Sequence, residues 1–359
     1  MAEEKAAAEA LPPAACANCG YPTERAEEYS VDIAGREVRF VADRCPNCGN
    51  EYVNAPEILL PDRPLLSAFE PKATPIGTYR RVTSATSRDP GFRAQPGDKV
   101  AATLLWYLLD KKLADVAILA HHSTSEEPVV ATTKEELSKA WQIRMGPGRA
   151  IATGSGLRTN LLTLAQLKAF AERDRGAHPR VAVMGRPCQI YTVRKLLWGE
   201  YVPGYELAFA LGTFCYGNFA PAAWGARHLR DLLGFDPTEI RSVVFGEELQ
   251  FTSVRGAVKR VPVADVAGLV NANCLQCYDF SVSFSDVSVG HIGGDEMLEA
   301  AILRTDLGQR VFDGAVRDGY LATSEAIYGK MDSAAEEQRV VKFLSMMVDV
   351  KRQLTRELR

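Results

Sequence analysis

Apolar and polar positions alternate through the middle of the chain in blocks that predict helices and short buried strands. Apolar residues at helical spacing predict helices over Val100–Lys112, Thr133–Trp141, Leu161–Arg173, Gln189–Trp198 and Ala222–Leu233. Short apolar runs between these helices predict strands over Asp115–Ala120, Arg180–Met184 and Tyr205–Leu211. This alternation is typical of an α/β fold in which a parallel sheet is covered by helices.

The pattern changes over residues 237–270, where short apolar runs predict a meander of strands. These runs are Ser242–Phe245, Glu248–Ser253 and Ala257–Val263. We expect this region to form a smaller α+β lobe beside the parallel-sheet core. Residues 56–95, in contrast, are rich in Pro, Arg and Ser and are interpreted as a connecting segment.

A long helix is predicted from Ser333 to near the end of the chain. Ser333 and Glu336 have the spacing of a capping box, which marks the first turn of a helix. An apolar stripe follows at Val340, Phe343, Met347, Val350 and Leu354. Such a stripe either faces the core of the same chain or docks a partner subunit.

The composition excludes several classes of protein. The chain has 359 residues, of which 47% are hydrophobic and 24% charged, and its net charge is −3. A disordered chain would be less hydrophobic, and a nucleic-acid-binding protein would be more basic. The longest apolar runs are far shorter than the roughly 20 residues that a membrane helix needs, and the acidic N-terminus is unlike a secretory signal. We therefore expect a cytoplasmic protein without a transmembrane segment.

The chain has eight cysteines, and the first four form two CxxC pairs near the N-terminus. Cys16 and Cys19 make up one pair, and Cys45 and Cys48 the other. The sequence between the pairs, YSVDIAGREVRFVADR, predicts two short strands around a turn. Two cysteine knuckles joined by a β-hairpin predict a zinc ribbon, although four thiolates also suit iron.

The other four cysteines are Cys188, Cys215, Cys274 and Cys277, and only the last two form a CxxC pair. Cys188 and Cys215 each follow a predicted strand, and loops at the carboxyl ends of parallel strands are where α/β proteins build their sites. Four thiolates from separate loops would suit an iron–sulfur cluster. Buried structural cysteines are the alternative, and the spacing by itself does not decide between the two.

Four stretches of the sequence stand out as motifs: VAVMGRPCQIYTVRKLL, LGTFCYGNF, NCLQCYDFS and FSDVSVGHIG, followed by ILRTDLGQRVFDGAVRDGYL. In the same order, they closely resemble motifs of the coenzyme F420 hydrogenase/dehydrogenase beta-subunit family. The stretch from Ile76 to Ala120 resembles the family's N-terminal portion. The resemblance covers residues 76–320 and includes neither the ribbon nor the last helix.

This resemblance implies an iron–sulfur flavoprotein that binds FAD and one [4Fe-4S] cluster. Matched to the family's motifs, the cluster ligands would be Cys188, Cys215, Cys274 and Cys277. The same matching implies that residues near the flavin are Gln95, Gly97, Gly185, Arg186, Pro187, Asp286, Gly290, Arg304 and Thr305. It assigns no catalytic residue.

The chain departs from the family's pattern at two places. The family's Gln-x-Gly-Gly segment reads Gln95-Pro96-Gly97-Asp98 here, so an aspartate replaces its second glycine. His291 stands where the family usually has an aspartate. The first change would alter the geometry of a loop that the resemblance places beside the flavin.

The resemblance implies an oxidoreductase subunit that passes electrons between the cluster, FAD and a hydride carrier such as coenzyme F420. Expected partners are other redox subunits or a ferredoxin, and no nucleic acid. The alternative is an electron-transfer or docking subunit without hydride exchange of its own. We expect a zinc-ribbon-like module at 1–55, the flavin and iron–sulfur domain at 56–320 and a helical extension at 321–359.

Overall fold

A computed structural model of the chain describes fifteen stretches of residues. They are 28–33, 36–41, 75–93, 98–119, 129–144, 179–187, 189–190, 193–194, 206–215, 227–245, 248–262, 265, 279–291, 298–329 and 333–357. The strands of this part are β1 (Glu28–Ile33), β2 (Arg36–Val41), β3 (Arg81–Ser87), β4 (Val116–Leu119), β5 (Val129–Ala131), β6 (Arg180–Gly185), β7 (Glu206–Thr213), β8 (Ile240–Phe245), β9 (Glu248–Ser253), β10 (Val258–Pro262), β11 (Val287–His291), β12 (Glu299–Leu303) and β13 (Leu321–Thr323). The α-helices are α1 (Pro90–Arg93), α2 (Lys99–Asp110), α3 (Lys134–Arg144), α4 (Arg227–Leu233), α5 (Asp306–Arg317), α6 (Ser324–Tyr328) and α7 (Ser333–Glu357), and a 3-10 turn spans Pro237–Glu239.

The largest sheet has eight strands among the described residues, in the order β13-β3-β12-β11-β7-β6-β4-β5. Its centre is parallel, since β4 pairs with β6, β6 with β7 and β7 with β11 in the same direction. The flanking pairs are antiparallel. The predicted α/β fold with a parallel sheet is therefore confirmed, with antiparallel strands added at both sides.

Two apolar layers cover the two faces of this sheet. On one face, α2 and α5 pack against alternate residues of the central strands, among them Ala301 and Leu303 of β12. On the other face, α7 packs against Ala300 and Ile302 of the same strand. Alternation along a strand sends successive side chains to opposite faces, so β12 contributes to both cores.

The predicted second sheet is also present. Strands β8, β9 and β10 form an antiparallel meander, at nearly the positions predicted from the sequence. Strands β1 and β2 form the antiparallel hairpin that was predicted between the two N-terminal CxxC pairs. The four cysteines of that predicted ribbon lie outside the described residues, so the zinc site stays a prediction.

One part of the sequence interpretation was wrong, because residues 81–87 do not form a connecting segment. They form β3, which lies between β12 and β13. Its sequence, RVTSATS, is rich in small hydroxyl residues and shows no apolar run. Two of those hydroxyls are bonded inside the protein: Ser84 donates to the buried Glu336, and Ser87 Oγ accepts from Thr103 Oγ1 at 2.7 Å.

Helix α7 begins at the predicted residue, but Glu336 in its first turn and the apolar stripe make contacts that the sequence pattern did not predict. The Glu336 carboxylate accepts hydrogen bonds from Ser84 and Ser324. Besides Glu336, the buried side chains in the described part of this helix are Val340, Leu344, Met347, Val348 and Lys351. The stripe faces the core of the same chain. No helix in the described part of the chain is long and apolar enough to cross a membrane.

Candidate functional site

The parallel strands β6, β7 and β11 end at the same edge of the large sheet. Gly185 at the end of β6 pairs with Gly212 near the end of β7. The chain leaves this edge as Arg186-Pro187 after β6 and as Phe214-Cys215 after β7. The predicted strands before Cys188 and Cys215 are thereby confirmed, and the structure shows that they are neighbours in the sheet.

Cys215 is buried and is a free thiol. Its backbone N–H donates to the carbonyl oxygen of Phe280 at 3.0 Å, and the N–H of Phe214 donates to Val289 at 3.0 Å. Phe280 follows Cys277 by three positions, so the chain keeps the two Cα atoms within about 11 Å of each other. The fold thus brings Cys215 beside the end of the NCLQCYDF segment.

Two glycines permit close packing around these loops. A Cβ atom at Gly212 would lie 2.5 Å from the Cβ of Val282, and one at Gly290 would lie 2.3 Å from the ring of Phe214. Both contacts are much closer than non-bonded carbon atoms allow. Gly212 and Gly290 are therefore needed for residues 280–282 and Phe214 to pack against β7 and β11.

A buried lysine joins the same two segments. Lys351 of α7 is only 1% exposed, and its ammonium donates to the carbonyl oxygens of Cys215 and Asp279, each at 2.8 Å. Sequence reasoning missed this residue, because the predicted stripe was rotated relative to the observed one. The available signal was a lysine at helical spacing from Val340, Leu344 and Met347.

The chain after β6 turns directly into helical conformation. Pro187 is the first helical residue, a position that suits proline because no N–H is required there. The side-chain oxygen of Gln189 accepts the N–H of Arg186 at 2.9 Å, and the N–H of Ile190 donates to the Arg186 carbonyl at 2.9 Å. Cys188 itself lies outside the described residues.

Charged residues converge at the same strand-end edge, next to the start of α2. Glu299 is buried, and its two carboxylate oxygens accept the N–H groups of Lys99 and Val100 at 2.8 Å each. Glu299 therefore satisfies two N–H groups that have no partner within the helix at this end, where a negative charge is also favourable. His291, at the end of β11, lies opposite Glu299 of β12 in the antiparallel register of these two strands.

Asp98 precedes α2 and has an unusual backbone and an unusual pKa. Its φ of 28° lies in the left-handed region, which glycine adopts more readily than aspartate. Burial and the neighbouring Glu299 carboxylate raise the pKa of Asp98 to about 7. The side chains of His291 and Arg186 act in the opposite direction. Asp98 is thus a carboxyl group that can hold a proton near neutral pH.

Asp286 lies at the start of β11, about 17 Å from His291 along the strand, and connects three of the sequence motifs. Its carboxylate accepts hydrogen bonds from Arg194 at 3.1 Å, from the N–H of Ala210 at 2.8 Å and from Thr305 at 2.8 Å. Thr305 in turn caps α5 by accepting the N–H of Gly308. The carboxylate of Asp286 is thus used in bonds inside the protein.

Arg304 is a second buried cation, and it binds the segment that follows Cys277. Its guanidinium donates to the carbonyl oxygens of Ile76, Thr78 and Ser281 and to the hydroxyl of Ser288, at 2.7 to 3.1 Å. Burial lowers the pKa of Arg304 to about 10, and Asp279 opposes this shift. These bonds fix the path of residues 281–288.

The predicted site residues fall into three groups. Around the strand-end edge lie Gly185, Arg186, Pro187, Cys215 and Gly290. At the opposite end of β11 lie Asp286, Arg304 and Thr305. Outside the described residues lie Gln95, Gly97, Cys188, Cys274, Cys277, Cys16, Cys19, Cys45 and Cys48. Within the described residues, no three His, Cys, Asp or Glu side chains are grouped as a metal site.

Known proteins resemble this chain over most of its length. Residues 178–327 match the family model that describes the C terminus of the beta subunit of coenzyme F420 hydrogenase/dehydrogenase. The coenzyme F420 hydrogenase subunit beta of Methanococcus voltae is 26% identical over 257 residues, which are 69% of this chain and 85% of that protein. The protein of the same description from Methanosarcina barkeri is 28% identical over 260 residues, covering 69% of this chain and 82% of that protein.

A solved structure shares the fold. It is a chain of the F420-reducing [NiFe] hydrogenase complex from Methanosarcina barkeri, with a TM-score of 0.60 and 24% sequence identity. The match covers 79% of this chain and 92% of that one. Residues 178–327 of this chain are therefore similar to the C-terminal region of the coenzyme F420 hydrogenase/dehydrogenase beta subunits, and the solved structure shows that the two chains share a fold.

Proposed function

We propose that this chain is an iron–sulfur flavoprotein subunit of an oxidoreductase that acts on coenzyme F420 or a similar hydride carrier. The observation that carries this proposal is the hydrogen bond between the N–H of Cys215 and the carbonyl of Phe280 at 3.0 Å. It joins the loop after β7 to the segment that follows Cys274 and Cys277. The loop that leads to Cys188 leaves the neighbouring strand.

The donors at this edge suit an iron–sulfur cluster. Cys215 is a buried, free thiol, and the chain restricts how far Cys188 and Cys277 can lie from it. We propose Cys188, Cys215, Cys274 and Cys277 as the ligands of one [4Fe-4S] cluster. Such a cluster transfers one electron at a time, at a potential set by its charge, its hydrogen bonds and its exposure to solvent.

We propose that FAD lies near the same edge, against the Gly185-Arg186-Pro187 loop and the Gln95–Gly97 segment that leads into α2. FAD would supply the ability to exchange either a hydride or single electrons. In this arrangement the side chain of Gln189 fixes the backbone of Arg186 by accepting its N–H group. The carboxyl group of Asp98 can hold a proton near pH 7. Asp286, Arg304 and Thr305 fix the loops around the site, and their direct contact with flavin stays a prediction.

A second candidate is an electron-transfer or docking subunit without hydride exchange of its own. Two observations favour it: Asp98 replaces a glycine of the family's motif, and Glu299 already occupies the N–H groups of Lys99 and Val100. Those donors are therefore not open to a flavin phosphate. In both cases we propose other redox subunits or a ferredoxin as partners, a cytoplasmic location and a zinc-ribbon-like N-terminal module.

The first test is an anaerobic metal, sulfide and flavin analysis of the purified full-length chain. We expect about four iron atoms and four sulfides per chain, one FAD and one zinc. The variant Cys215→Ser should lose the cluster absorbance and the signal of the reduced cluster in electron paramagnetic resonance. As the matched control, Cys16→Ser should lose zinc and keep the iron. A wild-type chain without iron or flavin would contradict the proposal.

The second step separates the two candidates. Reduced F420 is added anaerobically to the flavin-loaded chain, and bleaching of the flavin absorbance is followed, with NADH in a parallel sample. Bleaching by reduced F420 supports hydride exchange with this carrier. A loaded flavin that neither donor reduces supports the docking subunit instead.

A further inference from the structure

Lys351 is a buried cation on a stretch of α7 whose other buried side chains, from Val340 onward, are apolar. On α7 it follows Val340, Leu344, Met347 and Val348, all of which are buried in the core between this helix and the sheet. Taking an ammonium group out of water costs several kcal/mol unless good partners compensate. Apolar packing alone would favour leucine or methionine at this position.

The ammonium lies where two cysteine-bearing segments meet. Lysine can only donate hydrogen bonds, and here it donates to the carbonyls of Cys215 and Asp279, at 2.8 Å each. These partners are 136 and 72 positions away along the chain. One acceptor belongs to Cys215 itself, and the other comes two residues after Cys277. The contacts hold these two segments together.

We propose that Lys351 is a positioning residue that places a fixed positive charge beside the iron–sulfur cluster and raises the reduction potential of that cluster. This inference rests on the cluster assigned above to Cys188, Cys215, Cys274 and Cys277. Four thiolates make such a cluster anionic, and reduction adds one more negative charge. A buried positive charge close by favours the reduced form, because charges interact strongly where water is excluded.

Lys351 lies outside the part of the chain that matches the family model, which ends at residue 327. The last helix therefore contributes the Lys351 side chain to the site from outside the matched region. Arg304 holds the neighbouring carbonyl of Ser281 in the same way, but it comes from within the matched region.

The test is an anaerobic redox titration of the cluster in the full chain, followed by electron paramagnetic resonance with dithionite as the reductant. In Lys351→Met, we expect the ratio of oxidised to reduced cluster at a fixed potential to rise about tenfold, which is about 59 mV for a one-electron couple. Lys351→Arg keeps the charge and should stay within about twofold of the wild type. Lys342→Met removes an exposed lysine from the same helix and should change nothing.

The outcomes distinguish this inference from the proposed function. A wild-type chain without a cluster would overturn the proposed function and this inference with it. A Lys351→Met protein with about four irons and an unchanged potential would overturn this inference alone. If Lys351→Met does not hold the cluster, Lys351→Arg decides: a wild-type potential supports the proposal, and a lowered one overturns it. Loss of the helical circular dichroism signal in both variants would make Lys351 a residue of the fold only and would also overturn it.

Discussion

Asp98 shows how one residue can combine a backbone cost with an electrostatic cost. It stands where the family's motif has glycine, and it keeps a left-handed backbone with φ at 28°. Its carboxyl also lies close to Glu299, which is already committed to the N–H groups of α2. Burial and the Glu299 carboxylate make the ionised form of Asp98 unfavourable in the folded protein, whereas the left-handed backbone carries its cost in either ionisation state.

We expect Asp98→Asn to change how stability depends on pH. The folded protein keeps the Asp98 proton up to about pH 7, whereas the unfolded chain loses it near pH 4. The folded state therefore binds more protons between these values, and this carboxyl lowers stability as pH rises from about 4 to 7. Urea unfolding should show the variant gaining about 3 kcal/mol of stability relative to the wild type between pH 4.5 and pH 8, because the pKa differs by about three units between the two states and one unit corresponds to about 1.4 kcal/mol.

The control for Asp98→Asn is Glu248→Gln, which removes an exposed carboxylate from β9. Its stability should follow the wild type across the whole pH range. Parallel curves for Asp98→Asn and the wild type would contradict the assignment of this pH dependence to Asp98.

At the scale of single residues, sequence reasoning located some features and missed others. The replacement of glycine at position 98 and the loops around Cys188 and Cys215 were identified from the motifs. Glu299 was missed because it is 200 positions from Lys99, and only the fold brings the two together. Lys351 was missed because the predicted stripe contained only apolar residues and was rotated relative to the observed one.

At the scale of elements, helix α5 lies so close to the start of β11 that no side chain fits between them. A Cβ atom at Gly308 would lie 2.1 Å from the carbonyl oxygen of Asp286. The same carbonyl accepts the N–H of Arg304 at 2.9 Å, and the Asp286 carboxylate holds Thr305, the cap of α5. Two sequence motifs that looked independent are therefore one packed unit.

We expect Gly308→Ala to destabilise the protein by about 3 kcal/mol, because α5 must move away from the backbone of Asp286. In an ordinary helix the same change stabilises by about 0.5–1 kcal/mol, so the sign of the effect is diagnostic. Denaturant unfolding measures it. The matched control is Gly314→Ala on the same helix, where the new methyl group meets the end of the Tyr107 side chain and the cost should be smaller. A neutral or stabilising Gly308→Ala would contradict the packing.

The elements themselves were largely predictable where their residues are apolar. Strands β6 and β7 and helix α2 coincide with the predicted runs to within a few residues. Strand β3 was missed because Thr and Ser can fill a buried strand when partners such as Glu336 and Thr103 satisfy their hydroxyls. Polar satisfaction depends on residues far along the chain, which local patterns do not reveal.

At the scale of the whole molecule, neighbouring strands and the packed helices shield the central strands of the large sheet from solvent. Strands β6, β7 and β11 have strand neighbours on both sides, and their apolar residues are buried. Strand β10 of the smaller sheet is mostly exposed and pairs with β9 at one edge only, among the described strands. Local opening should therefore cost much less at β10.

Native-state hydrogen exchange followed by mass spectrometry should measure this difference. We expect amide exchange in β6, β7 and β11 to be slower than in β10 by on the order of 100-fold, which equals about 2.8 kcal/mol of opening free energy. The reference within the same experiment is β9, which is paired on both sides and should lie between the two. Equal protection of β10 and the central strands would contradict this order.

The α/β class could be predicted from alternation, but the order of the strands could not. Strand order depends on which distant segments pair, and β3 pairs with β12 and β13 across more than half of the chain. The insertion of an N-terminal strand between two C-terminal ones leaves no trace in the local pattern of any of the three.

The position of β3 has a consequence for the order of events during synthesis. Its partners β12 and β13 are made about 220 residues later, which takes roughly 10 to 40 seconds at ordinary translation rates. Until then the β3 segment has been synthesised but lacks the two strands that it pairs with in the native sheet. The large sheet therefore cannot be completed until β12 and β13 have been synthesised. Their pairing with β3 joins segments that are made early and late in the synthesis of the chain.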